Sequence, residues 1–358
     1  MIDRVMIMKK ILGKWPEALG ITGLAAALWY CTARSAEVRS AASLGMERCT
    51  EVIIPSLYAM IAVSAMLTSS GLVGRMPGGR IAVFLFSQTA GYPAGAAILT
   101  GEYRRGRLSK RGAELLMGVC FGAGPAFVQG CVSAGLYGSS RAGCLILVSN
   151  VTANTLVGAV TAVLIKREAK VCTERPPLRI DADVLTESVA AAGRSIAGIC
   201  FMVVAFAVFT AMLRDLGAIG AAGRVISLTG ADCPEGIAEA LLDVTAVSEL
   251  PCGNYRLLPW ISGLVSFGGI CVIMQIASLT RGELSVRPLI VMRTVSAAAS
   301  WWICRGLMPI MLAEETVSAA AFRKLHKSTS PVPSVMLILM TAVLMCEIQS
   351  PKNEKISK

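Results

Sequence analysis

Arg80–Glu102 reads RIAVFLFSQTAGYPAGAAILTGE, and the twenty-one residues between its two end charges carry none. A helix needs about 20 apolar residues to cross a bilayer, so the length suits one passage. The centre, Gln88-Thr89-Ala90-Gly91-Tyr92-Pro93-Ala94-Gly95, has instead the composition of a break. Pro93 removes an amide donor, Gly91 and Gly95 loosen the helix, and Gln88, Thr89 and Tyr92 add polar groups. Non-helical backbone at membrane depth holds only where protein or a water-filled cavity satisfies it. The expectation is a re-entrant hairpin whose tip forms part of a translocation site; a single kinked helix is the alternative.

The residues that follow favour the hairpin. Arg104, Arg105, Arg107, Lys110 and Arg111 make the most basic stretch of the chain, and basic loops stay in the cytoplasm. Upstream, Arg4, Lys9, Lys10 and Lys14 place the amino terminus inside, ahead of the uncharged run Ala18–Ala33. That run reads as a retained first membrane helix rather than a signal peptide cleaved near Ala36. A mixed-charge loop, Arg34–Glu51, leads to a second span, Val52–Gly74, which returns the chain inside. If residues 81–101 then dip and return, the basic loop stays inside; if they cross, it does not.

Further uncharged segments follow. Leu115–Tyr137 is interrupted by Gly122-Ala123-Gly124-Pro125, and Ala142–Ile165 comes next. Later segments are Ser195–Leu213, Leu257–Thr280, Pro288–Leu312 with Arg293 and Arg305, and Ser328–Cys346. Residues 232–256 are short and mixed, and read as a second hairpin over 237–254. The fold class is thus an all-α polytopic membrane protein of about 8 spanning helices plus two re-entrant hairpins. The basic segment and first helix occupy 1–43, a first repeat 44–165, a cytoplasmic linker 166–187, a second repeat 188–312, and a loop, last helix and basic tail 313–358. Loop 313–327, with Arg323, Lys324 and Lys327, would lie outside, against the charge rule.

Hydrophobic residues make up 54% of the chain and mean hydropathy is +0.65, which excludes an ordinary soluble enzyme. The net charge of +11 follows from cytoplasmic loops and does not point to nucleic acid. Twelve cysteines stand singly, with no CxxC pair and one histidine, His326, so neither a metal site nor a disulfide framework is expected. No nucleophile–base set and no phosphate-binding loop is present, so catalytic residues and cofactors are expected to be absent.

A shift of 146 residues aligns the halves. Phe121-Gly122 falls on Phe267-Gly268, Gln129 on Gln275, and the pair Asn150 and Asn154 on Ser296 and Ser300. Thr89-Ala90 matches Thr245-Ala246 at a shift of 156. With three crossings and one dip in each copy, the copies are inverted, an arrangement secondary transporters use to alternate access around one site.

Transport needs polar groups and helix breaks inside the membrane. The tips Gln88–Gly95 and Asp243–Asn254 expose free amides suited to an anion. Gly124 and Pro125 lie at the third break. Gln129, Thr245 and Gln275 read as ligands, with interhelical packing as the alternative for the glutamines and for Asn150 and Asn154. Arg293 and Arg305 lie inside a span, where a guanidinium suits a carboxylate-bearing substrate or snorkels to the surface. Asp243 and Glu249 are candidates for a coupling cation or proton, or solvated loop acids.

Gly91-Tyr92-Pro93-Ala94-Gly95-Ala96, Gly106-Arg107-Leu108-Ser109 and Gly124-Pro125-Ala126-Phe127, with Phe267-Gly268-Gly269 and Gly282-Glu283-Leu284-Ser285, resemble the YlbJ-like sporulation integral membrane protein family. That family belongs to the nucleoside-recognition, or Gate, superfamily, and the resemblance runs from Leu44 to Arg305. It implies a protein of the outer forespore membrane that moves dipicolinate, a small anionic substrate, toward the spore. It also implies lipid and other sporulation membrane proteins, or further copies of the chain, as neighbours. The family carries Asn-Ser where this chain has Gly122-Ala123, and Thr-Asn-Gly where it has Thr245-Ala246-Val247. The alternatives are a nucleoside or ion transporter of the same superfamily and a non-transporting protein of the spore envelope.

Overall fold

The computed structural model describes residues 20–72, 79–165, 178 and 181–312, and every regular element among them is helical. The basic amino terminus, most of the linker, loop 313–327 and the helix expected at Ser328–Cys346 lie outside the described residues.

Helix α1 (Gly20–Ala33) is followed directly by α2 (Ser35–Arg48). A π turn (Cys49–Ile53) carries α2 into α3 (Ile54–Ser69). The expected loop at 34–51 is therefore helix; its charges are accommodated along a helix too long for the bilayer core. Ser35–Leu67 covers 33 residues, about 50 Å at 1.5 Å per residue, against a hydrocarbon core of about 30 Å. Next come α4 (Gly79–Ala90), α5 (Tyr92–Arg104), α6 (Lys110–Val119), a π-helical segment (Phe127–Tyr137) and α7 (Ser140–Ile165).

After the linker, α8 (Ala182–Asp215) runs for 34 residues from a cap in which Asp181 Oδ1 accepts the Val184 amide at 2.9 Å. Helix α9 (Ala218–Ser227) follows it. Helix α10 (Pro234–Leu242), a 3-10 turn (Val244–Glu249), a second turn (Tyr255–Leu257), α11 (Leu258–Phe267), α12 (Gly269–Thr280) and α13 (Arg287–Met311) complete the described chain. Proline in the first turn starts α5, α10, α11 and α13, where a missing amide costs nothing.

Among the described residues, four helical stretches are long and apolar enough to cross a membrane: Ser35–Leu67, Ser140–Val163, Ala182–Asp215 and Tyr255–Thr280. Their surroundings agree. On α13, Arg293, Ser296 and Ser300 are wholly buried while Trp302 and Ile310 are 68% and 75% exposed. On α7, Asn150 and Asn154 face inward and Val160 and Val163 outward. Polar groups inside and apolar groups outside suit lipid rather than water. The chain is an integral membrane protein.

Element bounds repeat at the offset of 146. Ser35–Ser69 shifts to 181–215, one residue from α8, and Ser140–Ile165 shifts to 286–311, one residue from α13. Corresponding helices pack against each other in opposite directions. Tyr30 Oη donates to Asp215 at 3.0 Å, Gly45 lies against Val204 and Ala207, and the Cys49 thiol meets the Cys200 carbonyl. Rising numbers on α2 thus meet falling numbers on α8. Along α7 and α13, Asn154 meets Arg293, while Asn150 and Ser300 share Ser262 four residues earlier and seven later.

Loops pair across the halves as well. Arg104 reaches Glu283 at 3.0 Å, and Glu114 accepts the Ser285 amide at 2.8 Å. At another place, Tyr137 donates to the Asn254 carbonyl and the Gly253 amide to the Leu136 carbonyl.

Candidate functional site

Three helix breaks organise the interior. At Gly91 the backbone takes φ +94°, a left-handed-side conformation that glycine adopts without a Cβ penalty. The chain reverses there: a Cβ on Gly95 would lie 2.9 Å from that of Ser87, eight residues back, whereas a straight helix would separate them by about 12 Å. Helices α4 and α5 therefore form a hairpin rather than one kinked rod. Residues 121–124 have no regular structure between α6 and the π segment, and Gly268 and Gly269, both with positive φ, separate α11 from α12.

A helix that stops inside protein leaves carbonyls unpaired and a partial negative charge at its end. Here side chains supply the donors. Gln88 Nε2 reaches the Val119 carbonyl at 3.4 Å, and Asn154 Nδ2 the Phe121 carbonyl at 2.9 Å and Gln88 Oε1 at 2.8 Å. Tyr92 Oη donates to the Val265 carbonyl at 2.6 Å.

Arg293 joins the two ends. Its Nη1 donates to the Phe121 carbonyl at 3.1 Å and the Ser266 carbonyl at 3.2 Å; its Nη2 donates to Asn154 Oδ1 at 2.7 Å and Ser296 Oγ at 2.5 Å. The guanidinium also lies 4.8 Å from the centre of the Phe121 ring. Only its Nε lacks a partner. One buried cation thus faces the negative ends of a broken helix from each half, and no carboxylate is needed to hold it.

Two clefts adjoin this framework. The inner one is narrow, about 30 Å³, and is walled by Ile53, Leu57, Ile199, Val203 and Phe127, by Tyr92, Pro93 and Gly124 of the breaks, and by Asp243, Thr245 and Gln275. The wider one, about 240 Å³, carries charged residues on its wall: Glu37, Arg48, Arg214, Asp215, Glu239 and Asp243.

Of the residues expected to hold a substrate, Tyr92, Pro93, Gly124, Thr245 and Gln275 come together on the inner cleft, and Asp243 lies on both. The others lie elsewhere. Gln88 is a buried helix-end cap, and Thr89 is exposed and bonds back to the Phe86 carbonyl. Gly91 makes the turn, and Gly95 lets α5 close on the Cys120 carbonyl. Pro125 starts the π segment, and Gln129 reaches the Cys144 thiol at 3.5 Å.

Neither expected arginine is on a cleft wall. Arg293 is consumed by protein carbonyls, and Arg305 is exposed, 5.5 Å above the Trp301 ring. Glu249 is bound to Arg48.

Comparison with known families, characterised proteins and solved structures returns no match.

Arg48 is a candidate residue that the sequence did not disclose. Its side chain is nearly buried at the last turn of α2, directly before the π turn. Its Nε donates to Glu249 Oε1 at 2.9 Å, its Nη2 contacts the same oxygen, and its Nη1 lies 3.6 Å from Asp243 Oδ2. Asp243, 2% exposed, also accepts the Thr245 amide at 3.0 Å and hydroxyl at 2.7 Å. Its place in a run of charges, Glu47-Arg48 to Glu51, was the misleading feature. The signal available was the run of small and apolar residues Gly45, Cys49 and Ile53, which are buried on the same side as Arg48. Among the described residues no cluster suited to a metal is found.

Proposed function

We propose that this protein is a transporter or facilitator built from two inverted repeats, with about 8 spans and two re-entrant hairpins, that moves a small solute through the cleft between the halves. The observation that carries the reading is the meeting of three helix breaks, at 91, 121–124 and 268, beside a cleft whose walls come from both halves. Antiparallel pairing of helices related by the offset of 146 supports the inversion. Broken helices at the interface of inverted repeats are the arrangement in which backbone and side chains are free to hold a solute at mid-membrane.

The substrate proposed is dipicolinate, crossing the outer forespore membrane, with the assignment resting on the family resemblance. The narrow inner cleft, lined by Tyr92, Pro93 and Phe127, would have to widen to admit a flat ring, and Arg48 and Arg214 are the guanidinium groups at the wider cleft. Asp243 is the proposed site of a coupling proton or cation. One observation favours a second reading: Glu37, Asp215, Glu239 and Asp243 outnumber those two arginines, which suits a neutral or cationic solute such as a nucleoside.

Uptake of labelled dipicolinate and labelled nucleosides into proteoliposomes holding only this protein separates the readings. Saturable dipicolinate uptake, lost in Thr245→Val with Gln275→Leu, supports the first, and nucleoside uptake alone the second. Uptake of neither, with normal dipicolinate in spores carrying Pro93→Ala, would point to an envelope protein that transports nothing.

A further inference from the structure

Along two helices, the lining passes from the wide cleft to the inner one at a common level. On α8, Ala207, Thr210, Ala211 and Arg214 face the wide cleft, and Val203 and Ile199, one and two turns earlier, face the inner one. On the first long helix, Arg48 faces the wide cleft and Ile53 and Leu57 the inner. The 3-10 turn after α10 lies between the two clefts: Glu239 and Ala246 line the wide one, Val244 and Thr245 the inner, and Asp243 is common to both linings.

Arg48 stands at this crossing. Its guanidinium bridges the Asp243 carboxylate, which pins the turn leading into the inner cleft, and Glu249 at the far end of that turn. The hold on Asp243 is the looser, an ion pair at 3.6 Å beyond hydrogen-bond length, whereas Glu249 receives two nitrogens. One cation faces two carboxylates, so Arg48 keeps Glu249 as a partner when Asp243 is released. The π turn after Arg48 interrupts the regular helical ladder, a feature that marks sites of local rearrangement.

We propose that Arg48 and Asp243 form the gate between the two clefts, so that a solute entering the wide cleft reaches the inner one only when this ion pair parts. The proposal rests on the transporter reading, and the test requires no substrate. In proteoliposomes, with the native cysteines replaced, a single cysteine is placed by Val203→Cys in the inner cleft or by Ala211→Cys in the wide one. Both are titrated with a charged, water-soluble thiol reagent applied from the side that modifies the Ala211→Cys protein.

The expected result is slow modification at 203 and rapid modification at 211. Asp243→Asn speeds the reaction at 203 about tenfold or more and leaves that at 211 unchanged. Arg48→Gln strands Asp243, so Arg48→Gln with Asp243→Asn, which leaves no unpaired buried charge, serves as the second arm and opens 203 equally. Arg214→Gln, which releases the Arg214–Glu239 pair on the same wall, has no effect at 203. Equal rates at 203 with the gate pair intact or removed in both arms would overturn the gate. A protein that labels as expected but carries no solute would overturn the transporter reading alone.

Discussion

The two halves contain matching helices but use them differently. Arg48 in the first half is nearly buried against Asp243 and Glu249; Arg194, its counterpart 146 residues on, is exposed and has no ion pair among the described residues. Asn154 pairs with Gln88 and Arg293, whereas its counterpart Ser300 meets Ser262. Arg293 itself corresponds to Leu147, so a single guanidinium serves the helix ends of both copies. The helices match at an offset of 146, and the charges that depart from that match are the ones that bind the two halves to each other.

The largest effect should come from removing the shared cation. Arg293→Leu leaves the Ser266 carbonyl and Asn154 Oδ1 without donors, each worth about 1–3 kcal/mol when buried. A loss of about 3–5 kcal/mol is expected in thermal unfolding of detergent-solubilised protein; Leu147→Met at the corresponding position should cost under about 1.5 kcal/mol. An unchanged melting temperature for Arg293→Leu would remove Arg293 as the link between the halves.

The arginine pair follows. Arg48→Gln strips a charge partner from a buried carboxylate, at about 2–4 kcal/mol given that Glu249 remains partly solvated. Arg194→Gln should stay within about 0.5 kcal/mol. Similar losses for both variants would mean that the asymmetry has no energetic content.

Helix packing gives a smaller contrast. A Cβ at Gly45 would lie 2.9 Å from the Val204 Cα, so Gly45→Ala should cost about 1–3 kcal/mol by forcing α2 from α8. The corresponding residue is already Ala191, where Ala191→Gly should cost only its helix propensity, about 1 kcal/mol. The smallest effect belongs to Arg104 and Glu283. Hydrogen bonds from Arg104 hold the Glu283 carboxyl below the usual carboxylate range, yet both groups are solvated, and Arg104→Ala should leave the melting temperature unchanged.

Much of the frame was legible in the sequence because glycine and proline act locally. The Gly91-Tyr92-Pro93 break, the non-helical 121–124 stretch and the Gly268 interruption need no distant partner to be noticed. The offset of 146 showed at Phe121-Gly122 and Phe267-Gly268 for the same reason. What escaped depends on contacts between residues far apart in the chain. Nothing near Arg293 announces that its partners are the carbonyls of Phe121 and Ser266, and Gln88 and Tyr92 read as ligands because the helix ends they cap lie far off in sequence. Arg48 was hidden differently: six charges between Arg34 and Glu51 suggest a loop, although the stretch is rich in helix-forming Ala, Glu, Arg and Leu.

Inversion of the halves is the claim on which the account stands, and it makes one direct demand. Loop 104–111 contacts loop 281–286, and the turn at 136–137 contacts 253–254, so inversion places the first pair and the second pair on opposite faces of the membrane. In a chain otherwise free of cysteine, native Cys252 and a cysteine introduced by Glu283→Cys can each be titrated with an impermeant thiol reagent in sealed vesicles of known orientation. Modification of the two from opposite compartments is the predicted result; modification of both from the same compartment would contradict the inverted architecture.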